Sequence, residues 1–243
     1  MSMEIKSESV SPSVTVVTVN YNDCDGLKRT IKSVLDQDYI NFHYLIIDGQ
    51  SNDGSADLLK GYDDDSFDTI IEPDIGIYHA MNKAIIASDS EWLLFMNAGD
   101  RFHSKSSLSS AMRIANNNVD VVYADWYYQK SKIRIKADKN KMIVRHQSVI
   151  YRSSLHDIYG TYVVSNNLTI SDYIFFSSIS DLNWVYHKEP ISICDQEGVS
   201  AKVSHFYQKI SVDFMFSYRN KLRTIFILSI YPIYRILKKR YVK

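Results

Sequence analysis

Four acidic positions carry the first functional signal. Asp48 closes the run His43–Ile47, Glu72 and Asp74 follow Thr69–Ile71, and Asp100 ends Asn97-Ala98-Gly99-Asp100 after Trp92–Met96. Several carboxylates brought to one place do not suit a bare phosphate. They suit a divalent metal carrying a diphosphate, because Mg²⁺ and Mn²⁺ take one or two carboxylates plus phosphate oxygens. They equally suit hydroxyl and base recognition of a nucleotide. Each position also has a local reading: Asp48-Gly49 as a turn, Asp53 as a helix N-cap, Glu72-Pro73-Asp74 as a polar loop, and Asp100 as a cap. Four such coincidences at one edge of one sheet are less expected than any single one.

Other chemistries lack their residues. The chain has no GxGxxG and no GxxxxGK[ST], which counts against a Rossmann dehydrogenase and a P-loop NTPase. It has no CxxC or HExxH, so zinc has no support. The seven histidines are scattered, and a lone one such as His43 or His103 reads as structural.

The elements that must position these acids follow from periodicity. Ser13–Val19 is a β-branched run and predicts a buried strand, followed by the polar turn Asn20-Tyr21-Asn22-Asp23. Leu27, Ile31, Val34 and Leu35 share one helix face. Strands are predicted at His43–Ile47, Thr69–Ile71, Trp92–Met96 and Val119–Ala124. Helices are predicted after 51–55, over Ile77–Ala87 and near Ser106–Ala115. Alternating strands and helices with short connections predict an α/β fold with a mostly parallel, Rossmann-like central sheet flanked by helices. In such a sheet Asp48, Glu72, Asp74 and Asp100 fall at the carboxyl edge, where ligands bind. Beyond about residue 125 the rhythm changes: Trp126–Lys136 reads as a hairpin, Arg145–Tyr151 as a strand and Ser171–Ser180 as a helix.

Composition sets the frame. The 243 residues are 45% hydrophobic and 23% charged, which argues against a disordered chain and allows a core without disulfide staples. Two cysteines, Cys24 and Cys194, make no disulfide framework, so a reducing cytosolic compartment is expected. The first thirteen residues show no apolar stretch of the kind a secretory signal carries. Net charge is zero, from 28 basic and 28 acidic residues. That balance hides an asymmetry: residues 205–243 hold nine basic residues and one acid, a net of +8, which leaves −8 on residues 1–204. A basic tail of this kind points to a polyanionic partner.

The segments VTVVTVNYN, LIIDGQSNDGS, EPDIGIYHAMNKAI and WLLFMNAGD, in that order, resemble family 2 glycosyltransferases, closest to the bacterial polysaccharide branch. HQSVIYR (146–152), SDYIFF (171–176) and EGVS (197–200) match its later part. The resemblance implies a GT-A fold and transfer of a sugar from a UDP- or GDP-sugar with inversion. Carried over by position, Asp48 would contact the nucleotide base or ribose. Asn20, Glu72, Asp74, Asn82, Lys83 and Asn97 would line the donor site. His146 and Gln147 would lie near the donor sugar or acceptor, Asp172 would be the general base, and Asp100 would bind Mn²⁺ or Mg²⁺. The chain departs from the wider family at the metal motif, where many members carry Asp-x-Asp and this one keeps a single acid.

These features together predict a GT-A domain over 1–204 and a helical, basic, amphipathic segment over 205–243. The apolar run Ile225–Tyr234 has ten residues and includes Pro232, short of the roughly 20 needed to span a bilayer. An interfacial segment on anionic lipid fits it; a terminal helix packed on the domain is the other reading. Nucleic acid is not expected, since no binding module accompanies the tail. The expected setting is the inner face of the cell membrane, with a lipid-linked saccharide as acceptor in O-antigen, capsule or exopolysaccharide assembly. Two rivals are a non-catalytic nucleotide-sugar-binding protein with a degenerate metal site and a nucleotidyltransferase. The latter lacks a Gly-rich basic loop.

Overall fold

The computed structural model describes residues 12–63, 65–195 and 203–216. Strands β1 (Val14–Asn20), β2 (Phe42–Asp48), β3 (Asp68–Ile71) and β4 (Trp92–Phe95) form a parallel half-sheet in the order β3-β2-β1-β4. Every residue of β1 and β4 is buried, as expected of continuous apolar runs covered on both faces. Helix α1 (Cys24–Leu35) is capped by Asp23, whose carboxylate accepts the Gly26 N–H, and it buries Leu27, Ile31 and Val34. Helices α2 (Ser55–Lys60) and α3 (Ile77–Ala87) return the chain to the sheet, the latter burying Tyr78, Ala80, Met81 and Ala84.

The second half makes the sheet mixed. It holds β5 (Arg101–Phe102), α4 (Ser107–Met112), β6 (Val121–Tyr128), β7 (Arg134–Ile135), β8 (Val149–Arg152), α5 (Leu155–Tyr159), α6 (Ser171–Ser178), β9 (Trp184–Cys194) and α7 (Val203–Met215). The full order is β3-β2-β1-β4-β8-β6-β9-β5, with β7 paired to β6. β8 runs antiparallel to both β4 and β6, while β6 and β9 are parallel. Apolar side chains fill both faces. One layer joins α3 and α6 to the sheet, and the other joins α1 and α4.

Two segments differ from their sequence expectation. The strand expected over Arg145–Tyr151 begins only at Val149, and His146–Ser148 form one 3₁₀ turn that brings two polar side chains to the sheet edge. The sequence also hid β9. Its registers with β6 step from Ala124↔His187 to Trp126↔Ser192, so the polar stretch between His187 and Ser192 bulges out of the ladder. Pro190 is tolerated because it falls in that bulge. The hairpin expected over Trp126–Lys136 is present as β6–β7.

No helix among the described residues is long and apolar enough to cross a membrane. EGVS (197–200), the apolar run Ile225–Tyr234 and Lys238-Lys239-Arg240 lie outside the described residues.

Candidate functional site

The ends of β1 and β2 are in register at Asn20↔Asp48, so these two side chains are neighbours by construction. Asn20 donates to Asp48 Oδ2 at 2.6 Å and to Ser55 Oγ at 2.9 Å. Asp48 also accepts the Ser51 N–H at 2.7 Å and its hydroxyl at 2.9 Å. Asp48 is wholly buried. It stands at the expected edge, and its carboxylate shapes the turn that leads into α2. Beside it, a Cβ on Gly49 would come within 3.0 Å of the Tyr21 ring and 3.2 Å of Asp74 Oδ2. Tyr21 is 70% exposed there, an aromatic face within the turn whose sequence reads as simply polar.

The acids after β3 form a separate group. Lys83 Nζ lies 2.6 Å from Asp74 Oδ1 and 3.0 Å from Glu72 Oε1, and it also donates to the Pro73 carbonyl. Lys83 is drawn upward in pKa by these two acids, against the opposing effect of its own desolvation. It therefore cancels one of their charges. Asn82 behaves differently from its neighbour: its amide both donates to the Tyr162 carbonyl and accepts the Tyr162 N–H, at 2.8 and 2.9 Å. Its side chain is a clip between α3 and the segment after α5.

The third group is the densest. Asn97 and Asp100 share a turn closed by the Asp100 N–H on the Asn97 carbonyl, with Gly99 at φ 90°, where an L side chain is strained. Gln147 donates to Asp100 Oδ2, and the Asp195 N–H donates to Oδ1 at 3.0 Å. Burial pushes the Asp100 carboxyl upward, against the lowering influence of the Asp195 N–H and the Arg145 charge. One residue earlier than Gln147, His146 donates from Nδ1 to Asp172 Oδ2 at 2.7 Å. Nε2 of the same ring lies 3.0 Å from Asn97 Nδ2. Tyr78, from the first turn of α3, donates its hydroxyl to Asp172 Oδ1 at 2.7 Å, and the Tyr173 N–H adds a bond at 2.9 Å. Burial raises the Asp172 carboxyl, but the His146 and Tyr78 bonds outweigh it and the net direction is down. Burial and the adjacent Asp172 charge drive the Tyr78 phenol far above its usual value, so it remains a donor.

The structure thus links Asn97, Asp100, His146, Gln147 and Asp172 in one group, while Glu72, Asp74 and Lys83 form a second that meets the Asp48 turn at Gly49. Sequence reasoning missed Tyr78. It lies 94 positions from Asp172, and its only sequence signal is a polar-tipped residue on an otherwise apolar helix face.

Whether the residues present fit a metal turns on donor chemistry rather than on acid count. No group of three His, Cys, Asp or Glu side chains that could hold a metal occurs among the described residues. However, Asn97 Oδ1 and Gln147 Oε1 are buried acceptor oxygens without a hydrogen-bond partner; Asn97 belongs to the turn that carries Asp100, and Gln147 is hydrogen-bonded to the Asp100 carboxylate. A carboxylate and amide oxygens are the hard donors that Mg²⁺ or Mn²⁺ takes, with the remaining positions left to phosphate. The donor set fits such an ion.

A model of the glycosyl transferase family 2 domain matches residues 15–176. An uncharacterised glycosyltransferase of Mycobacterium tuberculosis is 30% identical over 166 residues, covering 63% of each chain. A putative teichuronic acid biosynthesis glycosyltransferase of Bacillus subtilis, TuaG, is 32% identical over 94 residues, or 37% of each chain. The match therefore spans less than two thirds of these relatives. Among solved structures, the Staphylococcus aureus TarS fragment 1–349 in complex with UDP-GlcNAc superposes with a TM-score of 0.71 at 13% identity, over 87% of this chain and 69% of that one. The mannosyltransferase PcManGT of Pyrobaculum calidifontis, in complex with GDP-Man and Mn²⁺, gives 0.66 at 16% identity, over 88% and 66%. At these identities the likeness shows the fold, which is the GT-A arrangement expected from the sequence.

Proposed function

Because the chain belongs to glycosyl transferase family 2, we propose that it transfers a sugar from a nucleoside-diphosphate sugar to a hydroxyl acceptor with inversion at the anomeric carbon. The observation that carries this reading is the Asp172 carboxylate. It is kept ionised by Tyr78, His146 and the Tyr173 N–H, and His146 ties it to the Asn97 turn that also bears Asp100. A carboxylate offers about four acceptor positions. Oδ1 spends both of its own on Tyr78 and Tyr173, while Oδ2 spends one on His146. The position left on Oδ2 receives the acceptor hydroxyl and takes its proton as the new glycosidic bond forms. General-base help of this kind contributes about 10²–10⁴-fold. A single displacement needs no second flanking carboxylate.

The departing nucleoside diphosphate gathers negative charge. Asp100, with the amide oxygens of Gln147 and Asn97, would hold the divalent ion together with the donor's phosphates. Bound there, Mn²⁺ or Mg²⁺ supplies charge stabilisation to the leaving group. Tyr21 and Gly49 offer an aromatic face and a close backbone approach to the nucleotide, and Asp74 borders them. In this reading Asp48 acts by shaping that turn.

We place the enzyme at the cytoplasmic face of the cell membrane, with a lipid-linked saccharide as acceptor in surface-polysaccharide assembly. The basic segment after 205 supports the membrane placement, and the likeness to TuaG, a putative teichuronic acid biosynthesis glycosyltransferase, supports surface-polysaccharide assembly. One observation favours a rival, a protein that binds nucleotide-sugar without turning it over: the site carries a single acid where a metal is expected. Thermal unfolding with Mn²⁺ and a panel of UDP-, GDP- and dTDP-sugars, on wild type and Asp100→Ala, tests donor class and metal role together. Ligand at 100 times its Kd stabilises by about 2.7 kcal/mol. A shift with one nucleotide, lost in Asp100→Ala, supports the reading. Nucleoside diphosphate release by wild type but not by Asp172→Asn then separates the enzyme from its rival.

A further inference from the structure

Helix α7 reaches the proposed base from behind. Four of its side chains, His205, Gln208, Lys209 and Asp213, meet one short segment, residues 167–173. His205 Nδ1 donates to the Thr169 carbonyl at 3.1 Å. Gln208 Oε1 accepts the Thr169 N–H at 2.9 Å and its hydroxyl at 3.1 Å, and Gln208 Nε2 donates to the Asn167 carbonyl at 2.6 Å. Lys209 Nζ sits 3.4 Å from the centre of the Tyr173 ring. The Tyr173 hydroxyl donates to Asp213 Oδ1. Positions 205, 208, 209, 212 and 213 recur at helical spacing, and Val212 joins the main apolar layer.

Asp213 is the informative member. It is 2% exposed, and a carboxylate taken out of water is costly unless it is paired. It is met by the Tyr173 hydroxyl, and Lys209 Nζ lies 3.8 Å from it. Tyr173 follows Asp172 directly, and its N–H donates to Asp172 Oδ1. One residue therefore grips α7 with its ring and the base with its backbone. Packing alone would be served by an apolar residue at 213; a buried, directional hydrogen bond fixes the rotation of the first turn of α6 as well.

We propose that α7 is a positioning element for the transfer reaction: Asp213, acting through Tyr173, holds Asp172 in the orientation that accepts the acceptor proton. This rests on reading Asp172 as the base. The Tyr173 and Asp213 side chains are turned to each other, so both act through Asp172 as positioning residues. Their contribution appears in the chemical step, because a displacement near 1 Å at a reacting group costs on the order of 10²-fold.

The test uses the full chain, with nucleoside diphosphate release from UDP-GlcNAc and GDP-Man as the probe, water serving as the hydroxyl that takes the sugar and gives its proton to Asp172. Asp213→Ala and Tyr173→Phe should each lower kcat by roughly 10- to 100-fold with KM for the donor within about twofold, the signature of an interaction used in the transition state. Asp213→Asn keeps an oxygen that accepts the Tyr173 hydroxyl and should stay within about threefold of wild type. Hydrogen exchange on the same proteins reads the coupling without turnover: Asp213→Ala should speed exchange of the Tyr173 amide and leave β1 and β4 unchanged. Wild-type kcat in Asp213→Ala, an equal loss in Asp213→Asn, or unaltered Tyr173 exchange would overturn the proposal. Asp172→Asn, run in parallel, keeps the two readings apart. If it retains full kcat, the base assignment falls; if it is inactive while Asp213→Ala and Tyr173→Phe are normal, only the role of α7 falls.

Discussion

In the proposed reaction Asp172 is a weak base made reliable by its neighbours. Its two side-chain donors act in the same direction, holding the carboxyl below its usual value against the pull of burial. Under that proposal it works as the carboxylate, and the acid limb of kcat should lie below the usual value for an aspartate. Asp172→Asn is isosteric and removes only the basic oxygen. It should lower kcat by about 10²–10⁴-fold while the thermal shift produced by donor and Mn²⁺ is retained. Tyr78→Phe makes a finer test. It deletes one donor to Oδ1 and leaves burial less opposed, so the Asp172 carboxyl rises and the acid limb of the kcat–pH profile moves to higher pH. An acid limb that stays in place would show that Tyr78 does not tune the base.

At the scale of elements, the helices behind the site are joined by polar clips whose worth is measurable. Asn82 satisfies both backbone groups of Tyr162. Asn82→Ala leaves those groups without their partner and should cost about 1–3 kcal/mol. For a chain of this length that lowers Tm by roughly 2–4 °C per kcal/mol. His156 joins α5 to α6: it stacks on Phe175 at 4.3 Å, Nδ1 donates to the Gly160 carbonyl, and Nε2 accepts the Tyr151 hydroxyl. Burial lowers its pKa below 6.5. The unfolded chain therefore binds this proton first, and stability falls as pH drops through 6.5 toward the folded value. His187 and His205 are lowered for the same reason and add to the slope. Tm measured between neutral and mildly acid pH should fall less steeply in His156→Gln than in wild type. Elements whose signal is local were legible in the sequence: the apolar runs of β1 and β4, the stripe of α1, and the turns that bear Asp48 and Asp100. β9 was not, because its ladder is interrupted by the polar stretch Lys188-Glu189-Pro190, which reads as loop. The pairings that complete the site were also hidden. His146 and Asp172 are 26 positions apart, Tyr78 and Asp172 are 94 apart, and no local period records such a contact.

Across the whole molecule, the two halves of the charge ledger lie at opposite ends of the sequence. Residues 1–204 carry −8 and residues 205–243 carry +8. α7 shows that the basic segment does not begin as a free tail. Its first described turns bury Ile210 and Val212, and they place the segment's single acid, Asp213, against Tyr173. Removing everything from 205 onward would therefore disturb the domain as well as any membrane contact, so the membrane proposal calls for charge substitution in the intact chain. Lys238, Lys239 and Arg240 form the densest basic run. Each basic residue near an anionic surface contributes about 1 kcal/mol, so replacing all three by Gln should weaken partition to phosphatidylglycerol-containing vesicles by on the order of 10²-fold. Binding to phosphatidylcholine vesicles should change little, and raised salt should narrow the difference between wild type and variant, because exposed charges are screened within about 10 Å at 0.1 M. The same variant should keep its Tm and its thermal response to donor, since these positions follow α7 in the sequence by more than twenty residues and the proposed site residues all precede it. Equal partition of wild type and variant to the anionic vesicles would remove the electrostatic basis for placing the enzyme at the membrane. A loss of donor response in the variant would instead tie the basic run to the catalytic domain.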